Sequence, residues 1–416
     1  MTMTTTPQVE RVLSIPQEGA TSMSTEEFRA KALAWLQQNA KPFDENEPGG
    51  GGATLEESKA FQKGLWEAGL AGITWPKEYG GQGLGTAEQL AFNEVAADFR
   101  LPVGPFVIGL GMPAPVLLEF GTEAQKKRHI EPMLKGDEIW SQLFSEPSGG
   151  SDVASLQTSA TKVEDGWLIN GQKVWTSGAQ YSDFGAVLVR TDPTRPKHQG
   201  ITMFIVDLHH PGVTVRPLVV ATGDAPFNEV FFDDVHVPDD AVIGEVNNGW
   251  AVAVAMLRYE RVTIGTGVRG RSNPLGYDAL VELVRARGLD SDPSVRRTLA
   301  QVYARESAMR TYASVLHQEA KAGVPIGARG SAAKLAGATF PLWVSDLVQD
   351  IFAEELALQT PDTLPLTRAI LAAPGYAVAG GSNEIQRNII AERVLGLPKD
   401  AGVDKNIPFN QLKLSK

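Results

Sequence analysis

An α+β chain built from three consecutive regions is what the sequence predicts, and three observations predict it. Apolar residues recur at helical spacing from Ser24 to about Gly136, alternate with period two from about Asp137 to Glu245, and return to helical spacing from Asn248 onward. Pro, Gly and Asp punctuate the middle region at the density of a barrel or a sandwich. No strand–Gly-rich loop–helix unit occurs, so a Rossmann or P-loop site is not expected. The domains read as a disordered lead at 1–23, an N-terminal helical domain at 24–136, a middle β domain at 137–247 and a C-terminal helical bundle at 248–416.

Taken in order, Ser24 to Asn39 forms the first predicted helix, with Glu27 three residues after Ser24 as in a capping box. Gly49 to Gly52 is a flexible loop. Further helices are expected at Thr54 to Ala68, Thr86 to Asp98, Pro113 to Phe120 and Glu123 to Lys135. In the middle region WLIN and QKVWTS flank Asn170-Gly171, a strong two-residue hairpin signal. GAVLVR, ITMFIVDL, VTVRPLV and NEVFFDDVHV supply more strands. Long helices follow at about Gly249 to Val284, Pro293 to Ala322, Gly330 to Gln359 and Glu384 to Leu395, the last with Asn383 as N-cap.

Composition narrows the function. The 416 residues are 43% apolar and 21% charged, as in a soluble globular chain. A net charge of −11 argues against a nucleic-acid or anionic-membrane binder. With no cysteine, disulfides, Fe–S clusters and thiol nucleophiles are excluded, and with six His a histidine metal site is not expected. No window reaches the roughly 20 apolar residues of a membrane span, and the expected location is cytoplasmic.

Within AVAVAMLRYERVTIG, Glu260 is an acid on a face carrying Ala253, Met256, Thr263 and Ile264. A charged, unpaired carboxylate there is costly. It is either a solvated or ion-paired residue near a helix end or a functional acid, and its own helix does not decide which.

Three other stretches could carry chemistry. In FSEPSGGSD (Phe144 to Asp152) small residues would let backbone amides approach a ligand, with Ser145 and Ser151 adding hydroxyls; taken alone, the stretch reads more simply as an ordinary turn. In KVWTSGAQ, Trp175 could stack on a flat ring while Thr176 and Ser177 bond its edge, or could be a core residue. AGGSNEIQR (Ala379 to Arg387) places two glycines before a helix N-terminus, a frequent seat for a phosphate or carbonyl oxygen and equally a plain helix start.

Together these stretches resemble the acyl-CoA dehydrogenase family of flavoproteins. WPKEYGG, FSEPSGGSDVAS, INGQKVWTS, FNEVFFDDVHVP and GGSNEIQRNIIAERVLG occur in the family's order and spacing, across about Glu26 to Pro398. The resemblance implies an N-terminal helical domain, a middle β-barrel-like domain and a C-terminal four-helix bundle. It implies FAD as cofactor, an acyl-CoA substrate, an electron-acceptor flavoprotein as redox partner, and α,β-desaturation of the thioester in fatty-acid or steroid catabolism. A carboxylate removes the α proton while the β hydride goes to flavin N5.

The site residues follow from the resemblance position by position. In many members the base lies just before the last helix, where this chain has Gly380. A second branch places it on the helix opening the bundle, and the matching position is Glu260. Phe144 and Ser145 match the flavin ring edge, and Gly150 and Ser151 the flavin–CoA junction. Trp175 matches a residue packed on the isoalloxazine, with Thr176 and Ser177 on its polar side. The Gly380 N–H matches the thioester-oxygen donor and Arg261 an arginine that orders CoA. Ser382 and Glu384 match positions near the flavin phosphate and adenosine.

Two elements depart from the family pattern. RARGLDSDPSVRR (Arg285 to Arg297) lacks the arginine–x–aromatic–Gly element that reaches a neighbouring subunit's FAD, and QDIFAEE (Gln349 to Glu355) lacks the glycines of a related run. The assembly is a homo-oligomer or a hetero-oligomer with a related chain. An oxidase of the same fold and a non-catalytic flavin-binding partner subunit remain as alternatives.

Overall fold

The computed structural model describes residues 23–43, 52–265, 273–322, 324–399, 402 and 406–412. The expected lead, most of the Gly49–Gly52 loop and 266–272 of the expected Gly249–Val284 helix lie outside the described residues.

The N-terminal region is helical. It contains α1 (Thr25–Asn39), α2 (Leu55–Glu67), α3 (Thr86–Ala96), α4 (Val107–Gly111), α5 (Pro113–Phe120) and α6 (Glu123–Lys135), with β1 (Lys41–Pro42) and β2 (Phe99–Arg100) forming a small antiparallel pair. Local chemistry fixes several boundaries. Ser24, Thr54 and Thr122 each accept a hydrogen bond from the backbone three residues on, and Glu27, Glu57 and Gln125 return it. Gln125 then bonds the carbonyls of Asp240 and Val242 at 2.7 and 2.8 Å, tying α6 to the far end of the middle region.

The middle region is a sheet. Its strands are β3 (Trp140–Leu143), β4 (Ser159–Val163), β5 (Gly166–Ser177), β6 (Phe184–Arg190), β7 (Ile201–Asp207), β8 (Val213–Leu218), β9 (Phe227–Val237) and β10 (Val242–Ile243). The hydrogen-bonded order is β10-β7-β6-β4-β5-β9-β8, with β3 added parallel to β6. The path ends at β8 and β10, so among the described residues the sheet does not close into a hydrogen-bonded ring.

The Asn170-Gly171 hairpin is corrected. β5 runs straight through both residues, and the turn lies earlier, between Val163 and Gly166. Gly171 has φ +143°, and its register against β9 shifts there, as in a bulge. The Asn170 side chain faces the partner strand, donating to Asp234 Oδ1 at 2.8 Å and accepting from Asp234 N at 2.9 Å. A Cβ on Gly171 would sit 2.7 Å from Thr158 Cα. Glycine is therefore used for close approach instead of chain reversal.

The C-terminal region is helical: α7 (Gly249–Gly265), α8 (Tyr277–Ala286), α9 (Pro293–Lys321), α10 (Gly330–Leu358), α11 (Leu364–Tyr376) and α12 (Asn383–Ile389), which continues as a looser π turn over Ile390–Val394. Two expectations change. The helix expected from Gly249 to Val284 is interrupted by a turn, Asn273 O accepting from Gly276 N, before α8 restarts. Pro274 disfavours the helical conformation for the residue before it. The cap of α12 is Ser382, whose hydroxyl accepts from Ile385 N, and Asn383 is its first helical residue. Strands β3 and β4 and helix α11 were not anticipated.

Two large cores divide these elements. One joins Phe28, Leu65, Ile130 and Leu134 of the N-terminal helices, Leu143, Val187 and Phe204 of the sheet, and Val252, Ala253 and Met256 of α7. The other gathers Leu280, Val302, Phe340, Val344, Phe352 and Leu366 of the remaining bundle. Thus α7 is anchored to the sheet, and its buried residues include Ala253 and Met256 of the apolar face anticipated around Glu260. Among the described residues no helix is long and apolar enough to cross a membrane.

Candidate active site

β3 is the strand on which the site is assembled. Its main chain pairs with β6, and Trp140 and Leu143 are buried in the core. Ser141 Oγ donates to Ser177 O at 3.0 Å, which fixes β3 against the end of β5. Gln142 points the other way: its Nε2 donates to Glu260 Oε2 at 3.3 Å. Beyond β3, Ser145 O accepts from Val174 N at 2.9 Å and Phe144 O accepts from Lys173 Nζ at 3.1 Å. Glu260, Phe144, Ser145, Trp175, Thr176 and Ser177 are therefore held around one short strand. Glu260 itself is half-buried.

Trp175 is not a core residue. It is 55% exposed, sits at φ +60°, and meets the Phe227 ring edge-on at 5.8 Å. A left-handed backbone at a bulky residue is strained and needs surrounding structure to hold it. That structure is the second bulge of β5, between Lys173 and Thr176. The bulge turns the indole outward and leaves the next residue inward. Thr176 is buried, and its Oγ1 has no hydrogen-bond partner. A buried orphan hydroxyl beside an exposed aromatic face needs an explanation.

Behind this surface lies a charged pair. Lys173 Nζ donates to Glu146 Oε1 at 2.8 Å, and Glu146 also accepts from Gln157 N and Thr158 N at 2.6 and 2.9 Å. Burial pushes the Lys173 ammonium down, with Glu146 opposing. For Glu146 burial pushes up, but Lys173 and the two amides outweigh it, and the carboxyl lies below the ordinary range.

The other expected positions fall in two places. Gly150 and Ser151 are exposed in the loop after Phe144, and a Cβ on Gly150 would meet nothing within 4 Å. Gly380, Ser382 and Glu384 lie at the start of α12, bound to α10 through Lys334 Nζ, which donates to Gly381 O at 2.6 Å. The Gly380 carbonyl accepts from Gln386 Nε2 at 3.0 Å. Ser382 caps α12, and Glu384 is exposed beside Arg387 at 3.2 Å. The described hydrogen bonds of this turn run to α10 and within the turn, not to β5. Arg261 belongs to α7, but its side chain lies outside the described residues.

Sequence reasoning missed Gln142, Glu146 and Lys173. The signal for Gln142 was present in principle: period-two alternation sets it on the same side as Phe144. The buried pair had no periodic signal, because its partners sit 27 positions apart.

Three family models match along the chain: the acyl-CoA dehydrogenase N-terminal domain over residues 22–137, the middle domain over 141–235 and the C-terminal domain over 247–395. The chain is 39% identical over 387 residues to the acyl-CoA dehydrogenase IpdE1 of Mycobacterium tuberculosis, covering 90% of this chain and 98% of that protein. Among solved structures it is similar to the Tcur3481-Tcur3483 steroid ACAD, with TM-score 0.74 and 31% identity over 90% of this chain and 98% of that one. It is also similar to the ChsE4-ChsE5 complex from Mycobacterium tuberculosis, with TM-score 0.70 and 28% identity over 92% of this chain and 99% of that one. With its helical, sheet and helical regions in this order, the chain belongs to the acyl-CoA dehydrogenase family, and it is an oxidoreductase of that class.

Proposed function

We propose that this chain desaturates an acyl-CoA thioester between its α and β carbons with FAD, that Glu260 is the base, and that the acyl group is steroid-derived. The observation that carries the reading is the Gln142–Glu260 contact, which joins an acid of α7 to the short strand that leads directly into Phe144 and Ser145. Gly380 at the alternative position has no side chain to take a proton.

The residues present fit a flavin. Trp175 offers an open aromatic face, and the adjoining buried Thr176 hydroxyl lacks the partner that a ring-edge nitrogen or oxygen would supply. Phe144, Ser145 and Ser177 would hold the same ring, while Ser382 and Glu384 would reach its phosphate and adenosine end. When bound, the flavin supplies the acceptor for the β hydride. Glu260 takes the α proton at a carboxylate oxygen. The Gly380 N–H orients the thioester carbonyl, and Gly150, Ser151 and Arg261 bind the CoA portion. An electron-acceptor flavoprotein would be the redox partner.

A steroid-derived acyl group and a two-chain assembly are supported by the likeness to the steroid ACAD and to the ChsE4-ChsE5 complex, each named as a pair. The missing arginine–x–aromatic–Gly and glycine-rich elements add a sequence reason for a related partner chain. Glu260 favours the catalytic subunit over a non-catalytic one.

Anaerobic mixing of the purified protein with linear, branched and steroid side-chain acyl-CoAs tests the reading, with flavin bleaching as the readout. Bleaching is expected with the steroid-derived thioesters. E260Q should keep its flavin and bleach about 10²–10⁴-fold more slowly. Bleaching of E260Q at the wild-type rate would overturn the base assignment.

A further inference from the structure

Gln142 is a neutral amide and brings no charge to Glu260; what it brings is a fixed direction. The strand that carries it is held on several sides. Its backbone pairs with β6 from Trp140↔Phe184 to Leu143↔Val187. Ser141 Oγ is bonded to Ser177 O and lies 2.7 Å from Ser182 Oγ. Just past the strand, Lys173 holds Phe144 O. Glu260 ends a side chain with three torsions, and ordering such a chain costs rotamer freedom. A base must also lie within hydrogen-bond reach of the proton it removes, and small misplacements slow the step.

We infer that Gln142 is a positioning residue for the reaction: by holding Oε2 of Glu260 it fixes the plane in which that carboxylate meets the substrate's α C–H bond. The inference rests on Glu260 being the base. In the step concerned the α C–H bond breaks, the proton passes to a Glu260 oxygen, and the electron pair stays on the α carbon and its thioester. A donor to the carboxylate also makes it a weaker base. Positioning and tuning of basicity therefore predict opposite signs when the amide is removed.

The step can be read without desaturation. 3,3-Dimethylbutyryl-CoA has α protons but no β hydrogen to give up, so the FAD-loaded protein in D2O should only exchange its α protons for deuterium, a change visible by NMR. Four proteins are compared: wild type, E260Q, Q142M and E260Q/Q142M. Met conserves the shape of Gln and removes the donor; Q142A repeats the comparison if Met disturbs β3. Flavin content and melting temperature serve as controls of folding. Q142M is expected to exchange about ten-fold more slowly, the low end for a hydrogen bond to a charged group, with unchanged saturation by the probe. In the E260Q background the same substitution should add nothing further. Exchange in Q142M as fast as wild type, or faster, overturns the positioning role, as does an equal slowing by Q142M in the E260Q background. Undiminished exchange in E260Q alone, or none in the wild type, instead overturns Glu260 as the base and the inference with it.

Discussion

Lys173 and Glu146 form an ion pair with side-chain exposures of 0% and 4%, directly behind the turn that carries Phe144 and Ser145. The Lys173 ammonium spans two jobs there, since it also holds Phe144 O. Removing one partner leaves a buried charge without its counterpart, which typically costs about 3–5 kcal/mol. K173M should lose stability on that scale in denaturant titrations. K173M/E146Q should recover part of it, because no charge is left buried and the single amide oxygen can still accept from one of the two N–H groups, Gln157 N or Thr158 N, that the two carboxylate oxygens serve separately. Equal losses in the single and double variants would mean the two side chains are not coupled.

Acid stability should depend on Glu138. Its carboxylate lies 2.9 Å from His129 Nδ1, accepts from Trp140 Nε1 at 3.1 Å and pairs with Arg128. Burial pushes its carboxyl up, but these partners together hold it below the ordinary value of 4.5. A depressed carboxyl contributes stability that is present above the unfolded value and lost as pH falls through the folded one. E138Q should therefore melt lower at pH 7 and show a shallower decline below about pH 4.5, measured by melting temperature across pH. An unchanged acid slope would remove Glu138 from the account.

For Trp175, structure and function should separate. W175F should shift the visible flavin spectrum while stability changes by no more than about 0.5 kcal/mol, as at other exposed positions. W175G removes the left-handed strain, so its apoprotein should unfold no sooner than wild type while flavin occupancy falls. A large stability loss with an unaltered spectrum would return the indole to a packing role.

Two glycines should respond oppositely. A Cβ at Gly171 meets the backbone of Thr158 and a φ of +143°, and G171A should cost about 1–3 kcal/mol. At Gly150 nothing lies within 4 Å, so G150A should leave the apoprotein's melting unchanged and weaken only ligand binding. Calorimetry on both apoproteins decides.

What the sequence made legible was whatever depended on local period and capping. Helix α6 and strands β6 and β7 emerge from spacing alone, and the Ser24–Glu27 box marks the start of α1. Errors gathered where a local signal served a distant neighbour. Asn170-Gly171 has the chemistry of a hairpin, but Asn170 is engaged by Asp234 and Gly171 by Thr158, so the strand continues. The break before α8 is signalled locally by Asn273-Pro274 and Gly276, but apolar residues at helical spacing on both sides outweigh that signal. Around the candidate site, motif likeness named Trp175 and Glu260; Glu260 meets Gln142 of β3, and Trp175 stands exposed at the β5 bulge. Gln142 stayed hidden because its value lies in a contact 118 positions away along the chain.

The last described segment has a consequence for how the protein is made. Pro408 bridges Pro196, Phe409 N donates to Arg195 O, and the Phe409 ring covers the Arg190 guanidinium at 3.8 Å. These contacts close a loop between β6 and β7 with residues about two hundred positions later. During synthesis the sheet therefore leaves the ribosome with Arg190 uncovered and must wait for the whole bundle to be translated. At about 5–20 residues per second that wait is on the order of ten seconds or more, an interval in which the nascent sheet is exposed to chaperones and proteases.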